Sequence, residues 1–527
     1  MHVGTAPYTP IQLEKLDAIA LIKYIKESEA RYTQQIEEIK NEYLILKEKY
    51  DLLIYKRFVR SAEQLLADKT YPLLFDAKEI QSETAEDPKQ YEFKEVKSHI
   101  RKKAGRRAID PKIPRVERIV DIAESEKNCK CGSKLTRIGE ETKEKLHVIP
   151  PKIYVEKIIR PKYACRGCEG TEDESKPAVR IAPVPPCIIP RSIASASLLS
   201  TIMTQKYQDH LPFYRQEIQF SRIGVKISRQ DMANWQQQVY DKIKPVFDLL
   251  KETLKSGPVI QMDETPVQVM GEEGRADTLK SYMWLARGGP PEKKVILYNY
   301  RRTRGAYHAR DYLEGYKGYL QTDGYQGYGA ALSGLSQIKQ VGCFAHARRK
   351  FFDAAKGSPA PQSAEEGIKH IRKLYELERN LREQNLKEDK FLVERKKHAE
   401  PILLSFRDWL NKLAVEVPPS LLLGEAVSYS LNQWDKLVAY LESPYLTPDN
   451  NACENAIRPF VIGRKNWMFN KSPKGAESSC GMYSLIETAK QNNIEPFKYL
   501  LELFERAPEA STAEDWIKLL PWNIFKS

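Results

Sequence analysis

The chain has 527 residues, too many for one compact core, and this length indicates roughly three or four domains. With 41% apolar residues it can bury a core, which argues against wholesale disorder, and no apolar run is long enough for a transmembrane helix. Lysine and arginine (84) exceed aspartate and glutamate (71) by 13, which favours a nucleic acid as partner, although an inert basic surface would give the same charge.

The first ten residues, MHVGTAPYTP, lack the charged and apolar regions of a signal peptide. Eight cysteines are too few for a disulfide scaffold at this length, and four of them cluster in two pairs. This usage favours a reducing compartment and a metal site. We therefore expect a cytoplasmic protein.

Residues 1–75 contain a heptad pattern. Apolar or aromatic side chains recur at alternating steps of three and four, and only Glu29 interrupts the register. These positions are Ile22, Ile25, Tyr32, Ile36, Ile39, Tyr43, Leu46, Tyr50 and Leu53. The pattern predicts a coiled coil that serves self-association, and the alternative is a long helix packed against its own domain.

Residues 76–120 include a basic segment punctuated by prolines, VKSHIRKKAGRRAIDPKIPRVER. Such a segment packs poorly and is typical of an extended arm that follows phosphates or enters a minor groove. A solvated linker is the alternative. The candidate DNA-binding residues of the arm are Arg101, Lys102, Lys103, Arg106 and Arg107.

Residues 121–180 have the form of a zinc ribbon, in which two cysteine pairs flank strand-like segments such as KIYVEKIIR. The candidate ligands of a structural Zn²⁺ are Cys129, Cys131, Cys165 and Cys168. The first pair is separated by one residue and the second by the usual two, so the first knuckle would be unusually tight. Free thiols are the alternative.

The proline-rich stretch IAPVPPCIIP (181–190) is typical of a linker. In residues 190–250 the segment LPFYRQEIQFSRIGVKISRQDMANWQQQV predicts two helices, with a turn at Gly224 and a cap at Ser228. The layout suits a helix-turn-helix that binds DNA, although many helical hairpins bind nothing.

Residues 251–360 switch to strand patterns. Three strands are predicted at 258–269, 281–289 and 293–302, then a helix, a strand that ends at Asp323, a helix, and a fifth strand at 339–346. This order is that of an RNase-H-like sheet, with three antiparallel strands and a parallel continuation. It would bring Asp263 and Asp323 side by side.

Two neighbouring carboxylates repel each other unless a cation lies between them. Mg²⁺ prefers carboxylate and phosphate oxygens, and a pair of such ions can promote phosphoryl transfer. The site needs a third carboxylate. Glu264 is a poor candidate because strand alternation points it to the opposite face from Asp263.

Residues 361–443 show helical patterns only and predict an insertion. Thr447, Pro448 and Asp449 then have helix-start chemistry, so Glu454 is expected within a helix that breaks or kinks at Pro459. An ordinary ion pair with Arg458, four residues on, is the alternative role for Glu454. The predicted core resumes at residues 444–500, and residues 501–527 form a C-terminal tail.

Several long motifs in this order resemble the transposases of the insertion sequence 66 family of bacterial elements. They are QMDETPV, QTDGYQGY, GCFAHARRKFFDA, DNNACENAIRPFVIGRKNWMF, YSLIETAK, RPKYACRGC, DHLPFYRQE and LPWN, so the likeness covers almost the whole chain. The fold class that follows is a multidomain α+β protein. Its parts would be a coiled-coil helix, a zinc ribbon, a helix-turn-helix-like region and an RNase-H-like core with a helical insertion.

The resemblance implies that Asp263, Asp323 and Glu454 form a DDE triad for two Mg²⁺ or Mn²⁺ ions. Cys343 and His346 match a C-x-x-H signature, in which His346 would contact the scissile phosphate, brace the triad or serve as a structural histidine. The candidate DNA contacts near the site are Arg348, Arg349, Arg458, Arg464, Lys465 and Trp467. For Trp467 a place in the core is an equal alternative.

The function implied is a transposase that binds terminal inverted repeats, cleaves the DNA ends and joins the 3′ ends to target DNA. It would act in the bacterial cytoplasm at the nucleoid, as a homodimer or higher oligomer and with small accessory proteins of the element. Two alternatives are a metal-dependent nuclease or resolvase without strand transfer, and a non-enzymatic zinc DNA-binding protein.

Overall fold

The structure, a computed structural model, describes residues 18–58, 153–164, 179–357 and 361–526. The chain divides into two compact units, residues 84–184 and residues 1–83 with 185–527. No helix within the described ranges is long and apolar enough to cross a membrane. Nine predicted site residues lie outside these ranges: Arg101, Lys102, Lys103, Arg106, Arg107, Cys129, Cys131, Cys165 and Cys168.

The smaller unit contributes a short antiparallel ladder. Strand β1 (Lys162–Ala164) pairs with β2 (Val179–Ile181). The predicted strand KIYVEKIIR is wrong in its described part, because residues 153–160 have no regular secondary structure. Tyr154 and Val155 are 86% and 92% exposed, so no sheet covers them and strand propensity alone does not form a ladder.

The larger unit begins with one long helix, α1 (Ala18–Phe58), where the heptad pattern lies. Four helices follow the linker region: α2 (Ala196–Tyr207), α3 (Phe213–Arg222), α4 (Arg229–Lys242) and α5 (Lys244–Lys255). Between α3 and α4, Gly224 has a φ of +82°, and Ser228 forms a capping box with Asp231. The predicted helix–turn–helix layout is thus present.

A mixed sheet forms the centre of this unit. Its strands are β3 (Val259–Val269), β4 (Lys280–Gly288), β5 (Val295–Arg301), β6 (Gly318–Gln321), β7 (Ile338–Val341) and β8 (Phe469–Asn470). The order is β5-β4-β3-β6-β7, with β8 beside the far end of β3. The first three strands are antiparallel, and β6 and β7 continue the sheet in parallel, as the strand order predicts.

Helices α6 (Ala306–Leu313) and α7 (Gln326–Ala331) connect the strands around β6. The predicted fifth strand is too long. It ends at Val341, and helix α8 (Phe344–Gly357) starts three residues later, so His346 lies in the first turn of a helix. The ladder stops because the N–H groups of Gly342 and Phe344 bond instead to the carbonyls of Lys436 and Pro448.

Within its described residues the predicted insertion consists of helices joined by short connections, with no strand. It comprises α9 (Gln362–Glu383), α10 (Glu388–Glu416), α11 (Leu422–Asn432), α12 (Trp434–Val438) and a 3₁₀ turn (Ala439–Glu442). With α8 it builds a second hydrophobic core, to which the sheet contributes Val341 of β7.

The helix after the insertion, α13 (Asn451–Trp467), starts later than predicted. Asp449 accepts the N–H of Asn451 at 3.0 Å and so precedes the helix rather than opening it. The predicted break at Pro459 is also wrong, since the helix continues to Trp467. Proline has no N–H, so the helix lacks one backbone hydrogen bond at Pro459. The carbonyl left without that donor belongs to Asn455, an exposed residue that water can reach.

Three more helices complete the chain: α14 (Pro473–Gln491), α15 (Pro496–Arg506) and α16 (Ala513–Lys518). Helix α14 packs along β5, and α15 packs on α2. Side chains of α14 form hydrogen bonds with the backbone of β5. For example, the hydroxyl oxygen of Ser484 accepts the N–H of Tyr298 at 2.8 Å. The C-terminal helices therefore belong to the core around the sheet.

Candidate active site

Asp263 and Asp323 belong to neighbouring parallel strands. Gln261 of β3 pairs in register with Gln321 of β6, and each aspartate follows its paired glutamine by two residues. Glu454 occupies the first turn of α13, which packs against β3. Three carboxylates that are far apart in the chain therefore lie in one region, where the charges of Glu454 and Asp323 both act on Asp263.

Glu454 does not lie on the surface, because only 5% of the residue is exposed. Its Oε1 atom lies 3.8 Å from Nδ1 of His346. Neither atom has a hydrogen-bond partner among the described residues. A buried carboxylate oxygen without a partner is costly unless a cation or another donor binds it.

The electrostatics of the site reflect crowding of negative charge. Burial, followed by the charges of Glu264, Glu454 and Asp323, raises the pKa of Asp263 well above its usual value. Burial is also the main reason that the pKa of Glu454 rises to about 7, against the opposing charge of Arg349. Charged carboxylates at this density call for a bound cation.

Burial lowers the pKa of His346, so its imidazole is favoured in the neutral form. A neutral imidazole can donate a hydrogen bond through one nitrogen and accept one, or bind a metal, through the other. Ligand atoms of Cys343, His346 and Glu454 lie within 4.8 Å of one another, a spacing that could hold a metal ion. Asp263 and Asp323 lie outside that group.

A pair of buried amides joins the strands that carry the aspartates. Gln261 donates to the side-chain oxygen of Gln321 at 2.8 Å and accepts from Arg287 at 2.7 Å. Gln321 in turn donates to the carbonyl of Thr447 at 2.7 Å, just before α13. The sequence carried a signal for this pair that was missed, namely a glutamine two residues before each aspartate.

Asn450 connects α13 to the sheet. Its side-chain amide donates to the carbonyl of Met262, the residue before Asp263, at 3.0 Å. Its backbone N–H donates to the Sγ atom of Cys343 at 3.2 Å. Asn450 is 1% exposed, so both bonds are shielded from water, and they fix the start of the helix that carries Glu454.

The insertion holds the segment before α13 from its other side. Arg395 of α10 is fully buried and donates to the carbonyls of Tyr440, Ser443 and Leu446 at 2.8–3.0 Å. Its charge is paired with Glu378 of α9 at 2.8 Å. A single guanidinium thus ties two insertion helices to the chain that leads to Glu454.

Glu264 lies next to Asp263, but its carboxylate is hydrogen-bonded to other residues. Its carboxylate accepts hydrogen bonds from Arg304 and from the hydroxyl of Tyr328. Arg304 also stacks over the ring of Tyr325, at 3.8 Å from the centroid. These contacts occupy both carboxylate oxygens of Glu264, whose charge also acts on Asp263.

The predicted DNA contacts fall into two groups. Arg348 and Arg349 lie in α8, and Nη2 of Arg349 is buried with no hydrogen bond to any described residue. Arg458 and Lys465 follow Glu454 along α13. Of these residues, Arg349 and Arg458 lie close enough for their charges to lower the pKa of Glu454 against the effect of burial.

Two further predicted contacts are engaged within the protein. Arg464 donates to the hydroxyl of Thr265 at 2.9 Å and to the carbonyl of Pro266. Trp467 packs edge-on against Phe460, 5.5 Å between ring centroids, and this favours the core alternative for that residue.

Three stretches of the chain match known family models. Residues 191–478 match "Transposase IS66 family", residues 126–169 match "zinc-finger binding domain of transposase IS66", and residues 484–522 match "IS66 C-terminal element". The four candidate zinc ligands lie within the second stretch, and this match supports a zinc-binding domain there.

Relatives of similar length occur in Sinorhizobium fredii (strain NBRC 101917 / NGR234). The "Uncharacterized protein y4qI" is 32% identical over 448 residues, which cover 82% of this chain and 81% of the relative. The "Uncharacterized protein y4jD" is 31% identical over 422 residues, which cover 78% and 80%. The similarity therefore extends through most of both chains.

Proposed function

Because the chain belongs to the IS66 transposase family, we propose that it binds the terminal inverted repeats of an insertion sequence, cleaves the DNA ends and joins the 3′ ends to target DNA. The observation that carries this proposal is the burial of Glu454, with an unbonded carboxylate oxygen, beside Asp263, Asp323 and His346. A sheet of this order and an inserted helical domain suit an RNase-H-like nuclease core.

Asp263, Asp323 and Glu454 are the proposed ligands of two Mg²⁺ or Mn²⁺ ions. The donor set fits, because it consists of carboxylates whose mutual repulsion a divalent cation would relieve. When bound, such ions activate the attacking oxygen and stabilise the leaving oxygen on phosphorus. All the residue roles that follow belong to the same proposal.

The remaining residues position the carboxylates and the DNA. His346, with Nδ1 at 3.8 Å from Glu454, is the proposed brace of that carboxylate, while the Sγ atom of Cys343 accepts the backbone N–H of Asn450. Arg349 offers a buried guanidinium nitrogen, without a partner among the described residues, to a DNA phosphate near the carboxylates. Arg348, Arg458 and Lys465 extend the phosphate-binding surface.

DNA recognition is assigned to other regions of the chain. The zinc domain, the basic arm and the α3–α4 hairpin are the proposed contacts with the terminal repeats. Two copies would hold the two ends together, with small accessory proteins as further partners. These assignments follow from the family and from the sequence patterns.

A strand-transfer assay tests the proposal. The full-length protein is incubated with a labelled duplex that carries the element's end, a supercoiled plasmid and Mg²⁺ or Mn²⁺. We expect cleavage at the end and labelled plasmid as the joined product. Cleavage without joining would instead support a nuclease, and DNA binding without cleavage would support a non-enzymatic binding protein.

A further inference from the structure

Arg304 lies beside the candidate site and is not among the predicted DNA contacts. It follows β5 in the segment YRRTRGAY (300–307), which carries three arginines between two tyrosines. Its guanidinium lies over the ring of Tyr325, 3.8 Å from the centroid, and we call this pair the Arg304–Tyr325 stack. The backbone N–H of Tyr325 donates to Oδ1 of Asp323 at 3.0 Å, so the stack adjoins one of the proposed metal ligands.

A buried acid holds the guanidinium of this stack in place. Nε of Arg304 donates to Glu264 at 2.5 Å, and only 1% of the Glu264 side chain is exposed. The other carboxylate oxygen accepts the hydroxyl of Tyr328, whose ring packs edge-on against Trp284, 5.9 Å between centroids. An arginine that is fixed in this way loses less conformational freedom when it binds a ligand.

The ring of the stack is fixed as well. The hydroxyl of Tyr325 donates to the backbone carbonyl of Arg304 at 2.9 Å. A Cβ atom at position 327 would clash with the ring, so Gly327 leaves the room that the ring occupies. Both members of the stack therefore have a defined orientation before any ligand binds.

The stack remains accessible in spite of these contacts. The Arg304 side chain is 40% exposed, although its partner Glu264 is buried. Burial raises the pKa of Glu264, which the bond from Tyr328 and the charge of Arg304 oppose. Because desolvating a carboxylate costs free energy, a buried acid is weak evidence for a purely stabilising ion pair. An exposed, flat cation on a rigid support is instead typical of a binding surface.

The charges around Arg304 decide which part of a nucleic acid fits there. Against the effect of burial, the charges of Glu264 and Asp323 raise the pKa of Arg304. A phosphate at this position would meet the same two negative charges, whereas an uncharged ring would meet a flat cation that Glu264 already neutralises. Guanidinium planes and aromatic rings are the surfaces on which unpaired bases stack.

We propose that the Arg304–Tyr325 stack binds one unpaired base of the DNA end, next to the candidate carboxylates. This inference rests on the proposed function, because it names the part of the DNA that the site receives. Every base has a flat face, so stacking recognises the unpaired state of the nucleotide rather than its sequence. The end sequence is then read elsewhere on the protein.

The dependence of end cleavage on a single base tests the stack. The full-length protein is incubated in Mg²⁺ or Mn²⁺ with labelled end duplexes, in which one nucleotide near the cleavage point is either a mismatched adenine or an abasic site. Neither form pairs, so the two duplexes differ in the base that can stack. With the unmodified protein, adenine at one position should be cleaved faster than the abasic site, on the order of 10-fold. Equal rates at every position near the cleavage point overturn the proposal.

Substitutions in the stack should remove this preference. Arg304→Lys keeps the charge but not the flat plane, and should reduce the ratio of the two rates to about one. Tyr325→Leu should do the same, whereas Tyr325→Phe keeps the ring and should retain the ratio. Arg310→Lys changes an exposed arginine that donates to the carbonyl of Ser333, and is the matched control. Circular dichroism shows whether each variant is folded, and an unchanged ratio in folded Arg304→Lys or Tyr325→Leu overturns the proposal.

A methylphosphonate series separates a base from a phosphate as the partner of Arg304. If the effect of Arg304→Lys disappears when one phosphate is made neutral, and persists with the abasic site, the partner is a phosphate and the stack is overturned. Failure of the proposed function gives a different result. An unmodified protein that cuts no end contradicts that function and this subsite together, whereas cutting and joining without base dependence contradicts the stack alone.

Discussion

The candidate site has two halves that are positioned in different ways. Asp263 and Asp323 are placed by the backbone ladder between β3 and β6, in which Gln261 and Gln321 are paired. Glu454 lies near the start of α13, whose far end leads into β8 beside β3, and the start of the helix is held by side-chain hydrogen bonds. The strand half therefore tolerates changes in side chains better than the helix half does.

The helix half depends on residues far away in the chain. Asn450, Cys343 and Gln321 hold the start of α13 from the sheet side. Arg395 holds the preceding segment from the insertion side. The helical insertion therefore supports the segment that leads to Glu454.

The largest expected effect is common to both halves. Asp263→Asn and Glu454→Gln should each slow DNA cleavage on the order of 10³-fold or more, because either change removes a charge from the proposed metal site. Binding of end DNA, measured by mobility shift, should be retained. Asp311→Asn, with a side chain 57% exposed, is the matched control. Normal cleavage by Glu454→Gln would show that Glu454 is not part of the active site.

Arg395→Met tests the support of the helix half alone. It removes a buried charge and leaves Glu378 and three carbonyls with fewer donors, so we expect a loss of about 3–5 kcal/mol in the free energy of unfolding, measured in urea. Arg372→Met, on an exposed position of α9, should change stability little. Equal losses in the two variants would argue that Arg395 has no special role.

Asn450→Ala acts on the link between the halves. The carbonyl of Met262 loses its donor, and we expect a cost of about 1–3 kcal/mol in unfolding free energy. Because Glu454 would be held less firmly, half-maximal cleavage should require more Mn²⁺ than in the unmodified protein. Asn455→Ala alters an exposed asparagine of the same helix and should leave the Mn²⁺ dependence unchanged.

The smallest effect is expected at the turn before α13. Thr447 donates from its hydroxyl to the carbonyl of Asp449 at 2.7 Å, and Thr447→Val should lower the unfolding free energy by about 1 kcal/mol. Thr447→Ser keeps the hydroxyl and should recover most of the loss in a thermal or urea unfolding curve. A valine variant as stable as the serine variant would contradict the contribution of this bond.

Much of the strand half could be predicted from the sequence. Alternating apolar residues and the order of strands and helices are local signals, and they placed Asp263 within β3. The strand predicted to end at Asp323 ends two residues earlier, at Gln321. The start of α13 was predicted too early, because Thr447 and Asp449 carry capping chemistry that the chain uses in the preceding turn. The residue at the N-cap position is Asn450, and its side-chain amide donates to the carbonyl of Met262 instead of capping the helix.

The fifth strand was predicted too long for a related reason. Residues 342–346 have apolar character, but the N–H groups of Gly342 and Phe344 bond to Lys436 and Pro448, which are about a hundred residues away. A short-range pattern cannot indicate which distant carbonyl will compete for a backbone donor.

By itself, the sequence determined the family, the heptad register of α1, the helical insertion and the candidate carboxylates, because each is written in residue types at fixed local spacing. Only the tertiary structure decided that Glu454 is buried beside His346, that Arg395 supports the segment before its helix, and that the apolar heptad positions of α1 are exposed. These properties depend on which distant surfaces exclude water from one another, and that is a property of the packed chain.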